Sequence, residues 1–160
     1  MIPRIKLIAE LYDVSGRLAL KALNEMKPDD LAARPLDKAN SFQWVFGHIT
    51  ASRYGLAQTL GLEEKVSWEK LYEFGAELQD QTAYPSIDEI KAALDHITKK
   101  LKQRFESITE QELAGEPPFT IPGTEKSIAG NLAFLSLHES YHVGQLAYLL
   151  RLHGREKLVG

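Results

Sequence analysis

Apolar residues recur along this chain at steps of three and four, the spacing that gathers side chains on one face of an α-helix. From residue 3 to 27 the stripe is Ile5, Ile8, Leu11, Tyr12, Ser15, Leu18, Ala19, Ala22 and Met26. Pro3 suits a first helical turn, and Pro28 drives the residue before it out of the helical region, so a first helix is expected over 3–27. Residues 28–40, rich in Asp, Pro and Asn, read as a connector with room for one turn before Pro35. Asn40 or Ser41 then caps a second helix, whose stripe of Phe42, Val45, Phe46, Ile49, Ser52, Leu56 and Leu60 runs to Gly61, a natural residue just past a helix end. Residues 61–85 carry the weakest pattern. Trp68, Leu71, Tyr72 and Phe74 suggest a loop or short helix pressed onto the rest, with the aromatics packed in the core rather than at an interface.

The third helix is the plainest. Ser86-x-x-Glu89 is a capping box, followed by the unbroken stripe Ile87, Ile90, Leu94, Ile97, Leu101, Phe105 and Ile108. Thr109-x-x-Glu112 caps a further short turn, and Gly115, Pro117, Pro118, Pro122 and Gly123 mark 115–126 as loop. A last helix is expected from Ser127 to His153-Gly154, its inner face made of Ile128, Leu132, Leu135, His142, Leu146, Leu149 and Leu150. Strand-like alternation, internal repeats and low-complexity tracts are absent. Four long amphipathic helices and little else predict an all-α fold, a four-helix bundle. At 160 residues this is expected to be one domain spanning 1–160.

Composition narrows the function classes. The formal charge is −3, with no block of Lys and Arg, which argues against a nucleic-acid surface. The absence of cysteine excludes disulfides, Cys-ligated zinc and a cysteine nucleophile. The opening residues run straight into a patterned segment without a signal-peptide core, and no apolar run approaches the roughly 20 residues that span a bilayer. A cytoplasmic location without membrane attachment is the expectation.

Candidate chemistry lies in the five histidines, His48, His96, His138, His142 and His153. His153 precedes Gly154 in the last turn of its helix, where an imidazole complements the terminal carbonyls and needs no further role. His96 lies one step off the stripe of the third helix and is expected at the surface. The other three stand among apolar neighbours. Any one of them alone reads as a core histidine bonded to a side chain or carbonyl. Together they read differently, because ligating one cation satisfies three otherwise costly imidazoles at once. His138 and His142, four apart, stack on one helix face, and His48 sits about seven residues into the second helix, so all three can reach one level of a bundle. Three imidazoles leave coordination positions open, as catalytic sites do. Gln145, Ser52 and Tyr141 are the nearest candidates to orient the rings.

His138-Glu139-Ser140-Tyr141-His142 also matches H-E-x-x-H, the zinc-protease signature. That reading fares poorly. The extended motif needs Gly and His where Gln145 and Tyr148 stand, and the sole acid after His142 is Glu156, beyond the helix. No strand is available to hold a peptide. The third ligand is thus sought upstream at His48, with Glu139 expected to face away from the site and pair with solvent or a Lys.

Two stretches carry a family resemblance. Leu31-Ala32-Ala33-Arg34-Pro35 followed by Trp44-Val45-Phe46-Gly47-His48 is similar to the L-x-x-R-P … W-x-x-x-H opening of the second helix in the DinB/YfiT-like superfamily of metal-binding four-helix bundles. His138-Glu139-Ser140-Tyr141-His142-Val143-Gly144-Gln145 resembles that superfamily's H-E-x-x-H-x-G-Q segment. The resemblance implies that His48, His138 and His142 ligate a divalent metal, zinc or nickel, in a cytoplasmic protein that forms a homodimer. It further implies activation of water, as in a hydrolase, or of an external small thiol such as bacillithiol or mycothiol, as in an S-transferase. A shared fold does not fix the reaction, so a non-catalytic metal-binding or stress-related protein is the alternative. With no cysteine in the chain, any thiol must arrive from outside, and Arg53, Arg17 or Arg151 is the expected holder of its carboxylate.

Overall fold

The computed structural model describes residues 1–159. Its long helices are α1 (Pro3–Glu25), α2 (Phe42–Thr59), α3 (Ile87–Ser107) and α5 (Ile128–Leu152), with a one-turn α4 (Glu110–Leu113) between the last two. No strand occurs among the described residues. The caps follow from the local sequence. Ser41, Ser86, Thr109 and Ser127 each accept a backbone N–H of the first turn, and Ser86/Glu89 and Thr109/Glu112 both form reciprocal capping boxes. α1 stops at Glu25, two residues short of the expected end, because Met26 and Lys27 are already extended ahead of Pro28. Gly61 (φ 77°) and Gly154 (φ 69°) turn the chain out of α2 and α5 in the left-handed region that glycine tolerates.

Around the bundle the helices follow the order α1, α5, α2, α3. α5 packs between α1 and α2, and α3 closes against α2 and more lightly against α1. Side-chain bonds fix the directions. Tyr12 donates to Leu132 O, and Ile5 shares one core half with Leu132 while Ala22 shares the other with Leu146, so α1 and α5 run parallel. Gln43 donates to Pro85 O and Arg104 to Leu60 O, so α2 and α3 also run parallel. The two pairs oppose each other, giving up, down, down, up. Parallel neighbours cannot be joined by a tight turn. The chain therefore needs a long crossover from α2 back to the start of α3, and residues 61–85 are that crossover.

This explains their weak pattern. The segment holds only two 3₁₀ turns, Glu69–Tyr72 and Gln81–Ala83, and lies along α2. Tyr72 and Tyr84 are buried against Ala51 with Trp44 and Trp68 packed alongside. The expectation of core packing holds for Tyr72 and partly for Trp68. It fails for Phe74, which is fully exposed because it follows the turn and points off the surface.

The apolar core comes in two halves. Ala22, Phe42, Ile90 and Leu146 belong to one end, and Ile5, Leu56, Leu101 and Leu132 to the other. At mid-height, Arg53 and Glu139 form a buried polar layer between them, and the histidines lie beside it.

Candidate metal centre

α2 and α5 run antiparallel, so His48, about two turns into α2, meets the middle of α5. There the four-residue step brings His138 and His142 onto the same face. One ring nitrogen from each lies within 4.8 Å of the others. His138 Nε2 stands 3.3 Å from His48 Nε2 and 3.1 Å from His142 Nε2. Two nitrogens each about 2.0–2.1 Å from one ion, at coordination angles of about 90–110°, stand about 2.9–3.4 Å apart. The observed spacings fall in that window.

The opposite ring edges decide which nitrogens carry lone pairs. His48 Nδ1 faces the carbonyl oxygen of Tyr72 at 3.1 Å, and His142 Nδ1 faces Gln145 Oε1 at 2.7 Å. Both partners accept, so both Nδ1 atoms donate, and a neutral imidazole that donates at Nδ1 presents a bare lone pair at Nε2. Two such lone pairs aimed at a third imidazole nitrogen form an electron-rich concavity that a cation completes. His138 Nδ1 is buried and has no hydrogen-bond partner among the described residues. Burial, then the neighbouring rings, pulls His48 and His138 down to about 4 from the ordinary 6.5. Burial lowers His142 as well, partly offset by its bond to Gln145. All three are therefore neutral at pH 7, the ligating form. The residues fit a divalent ion of borderline softness.

Around the cluster, Trp44 stacks on His48 at 5.0 Å and 8°, Phe134 lies over His138 at 6.4 Å, and Tyr141 sets its edge to His142 at 5.0 Å. Of the expected orienting residues, Gln145 holds His142 directly, and Tyr141 acts one step out by accepting from Gln145 Nε2 at 3.1 Å. Ser52 bonds none of the rings, because His48 already spends Nδ1 on Tyr72 and turns Nε2 to the other histidines. The Tyr72 carbonyl had no sequence signal, since any residue has one. Trp44 was visible in the sequence only as part of the W-x-x-x-H resemblance, and its place four residues before His48 puts the two rings on one helix face. Gln145 and Tyr141 also line a largely apolar groove of about 970 Å³ that Pro35, Val45, Tyr148 and Lys38 help to form.

Glu139 bonds none of the three histidines, as expected of a bystander, but the expectation that it pairs with solvent or a Lys is corrected. Glu139 is 2% exposed and pairs with Arg53, Nη2 to Oε1 at 2.6 Å and Nε to Oε2 at 2.9 Å. Arg53 is 1% exposed and also reaches Tyr12 O and Thr98 Oγ1. Both Glu139 oxygens are thus occupied in the core, and it is not free to act as the base of an H-E-x-x-H protease. The same bonds remove Arg53 as a holder of a substrate carboxylate. Arg17 pairs with Asp13 at the surface, and Arg151 donates to Arg155 O. The two histidines set aside stay out of the cluster, although the His153 ring turns to Asp30 rather than to the terminal carbonyls. His96 is exposed and pairs with Glu64, and His153 caps α5 near Asp30.

Comparison with known proteins follows the same lines. The family model described as the DinB superfamily matches residues 11–146, most of the chain and all three histidines. Among solved structures, YfiT from Bacillus subtilis, described as a probable metal-dependent hydrolase with an unusual four-helix bundle topology, superposes with a TM-score of 0.68. The match covers 98% of this chain and 91% of that one at 16% identity, a likeness of fold. No curated protein sequence matches.

Proposed function

This chain belongs to the DinB superfamily, and from that footing we propose that it is a metal-dependent enzyme in which His48, His138 and His142 hold one divalent cation and activate a small nucleophile. The observation that carries the reading is the convergence of three Nε2 atoms while the Nδ1 atoms of His48 and His142 are engaged as donors. An all-imidazole donor set favours zinc or nickel over magnesium or calcium. Such an ion lowers the pKa of water or a thiol at its open positions towards neutrality.

The chain's own groups do the rest. Tyr72 O and Gln145 Oε1 hold His48 and His142 in the Nδ1–H tautomer, which keeps each Nε2 available. Trp44, Phe134 and Tyr141 wall the cluster with aromatic surface and limit the water around it. No cysteine is present, so a thiol nucleophile is a second substrate, and water is the nucleophile otherwise. YfiT's description as a probable metal-dependent hydrolase supports the water branch, and the thiol branch rests on what the superfamily resemblance of the sequence implies.

The test is a paired assay on zinc- or nickel-loaded protein, thiol consumption with an aryl electrophile and hydrolysis of activated esters and amides. Turnover in one assay, abolished by chelator and by His138→Ala and restored to the parent by metal, is the expected result. Metal-loaded protein that turns over neither substrate class is a binding module instead.

A further inference from the structure

The crossover touches the histidine cluster through Tyr72. Its carbonyl accepts from His48 Nδ1 at 3.1 Å. Its ring lies across α2 at Gly47, the residue before His48. A Cβ built at Gly47 would run into Tyr72 Oη and stand 2.5 Å from Cζ and 2.8 Å from Cε1. Glycine weakens a helix interior, and Gly47 keeps an ordinary helical φ, so the backbone gives no reason for it there. The reason is room for the Tyr72 ring.

That ring is held by shape. The hydroxyl is buried with no hydrogen-bond partner among the described residues. Trp68, Tyr84 and Trp44 surround the ring at centroid distances of 5.5, 5.6 and 5.7 Å, and Trp44 in turn stacks on His48. Fixing the ring fixes the peptide that carries the carbonyl.

We propose that Gly47 and Tyr72 form a latch that positions His48. The bare helix face at Gly47 seats the Tyr72 ring, and the seated ring aims the Tyr72 carbonyl at His48 Nδ1. The proton is thereby kept on Nδ1, and the Nε2 lone pair faces His138 and His142. The inference rests on the reading of these histidines as metal ligands. Gly47 and the Tyr72 side chain offer no ligand atom to the cluster, and they act through His48 alone. Tyr72 belongs to a small aromatic cluster outside the two halves of the core, adjoining the first half through Trp44 and Trp68, so loosening it leaves most of the bundle its packing.

The experiment compares parent, Gly47→Ala, Tyr72→Ala and Tyr72→Phe. Two readouts are taken on protein whose helical content matches the parent by circular dichroism. The first is the His48 tautomer in metal-free protein, from imidazole ¹⁵N shifts. The second is zinc affinity by chelator competition. Gly47→Ala and Tyr72→Ala are expected to lose the Nδ1–H tautomer and to bind zinc about 10- to 100-fold more weakly, the usual effect of removing a partner behind a ligand. Tyr72→Phe keeps ring and carbonyl and is expected to match the parent in both. If Gly47→Ala does not fold, Tyr72→Ala decides. Parent-like tautomer and affinity in Tyr72→Ala, or an equal loss in Tyr72→Phe, overturns the latch. A parent that binds no zinc overturns the metal reading alone, and the tautomer readout still decides on the latch.

Discussion

A neutral imidazole is both donor and acceptor, and everything in this site follows from which nitrogen does which. Burial and mutual repulsion keep His48 and His138 unprotonated down to about pH 4. In the unfolded chain the same groups take protons near 6.5. Between those values the unfolded state binds more protons, so the stability of the metal-free protein falls as pH drops from about 6.5 to about 4 and is unaffected by these groups above that range. Urea denaturation of metal-free parent and His138→Ala at stepped pH reads this. The parent's advantage is expected to shrink, or its deficit to grow, across that window. Parallel profiles for the two proteins would rule the shift out. The three ligand candidates were legible because His142 sits within an apolar stripe of helical period, His138 stacks on it one turn earlier and His48 stands among apolar neighbours. Gln145 was legible as a near neighbour of His142. The Tyr72 carbonyl was not, because a backbone acceptor leaves no mark in the sequence.

Among the elements, the Arg53–Glu139 pair has the widest reach. Arg53 leaves α2, binds Glu139 on α5, Tyr12 O on α1 and Thr98 on α3, and so ties the four long helices at the level between the two core halves. Gly16 on α1 makes room for its guanidinium, which a Cβ there would approach to 2.8 Å at Nη2. Removing one partner strands a charge in the core. Arg53→Ala is expected to cost about 3–5 kcal/mol in urea denaturation, and the double variant Arg53→Leu/Glu139→Leu much less than the sum of its parts. A loss under about 1 kcal/mol for Arg53→Ala would mean that the pair does not hold the bundle. The helices themselves read well from sequence. Ser86/Glu89 and Thr109/Glu112 marked their own starts, since capping is local chemistry. The role of Glu139 did not read, because its partner lies 86 residues away and its place inside H-E-x-x-H invites the wrong comparison. The crossover was also opaque, since its order comes from Tyr72 and Tyr84 packing on α2 rather than from any period of its own.

For the molecule as a whole, the up, down, down, up order sets α5 between α1 and α2 and sends a long strap back along α2. That topology places the histidines of two antiparallel helices at one level and lays the strap's carbonyl behind one of them. The bundle itself was foreseeable from four amphipathic stripes. Its order was not, because helical periodicity shows which face is buried and not which neighbour buries it. If His48, His138 and His142 hold an ion, the protein carries it when purified, and its metal content decides the matter. Untagged protein, freshly purified without chelator, is analysed for bound elements beside His48→Ala and the exposed-site control His96→Ala. About one zinc or nickel per chain in the parent and in His96→Ala, with loss in His48→Ala, is the outcome expected of three ligands on one ion. A parent with no stoichiometric metal, or a His48→Ala protein that retains it in full, would contradict the site.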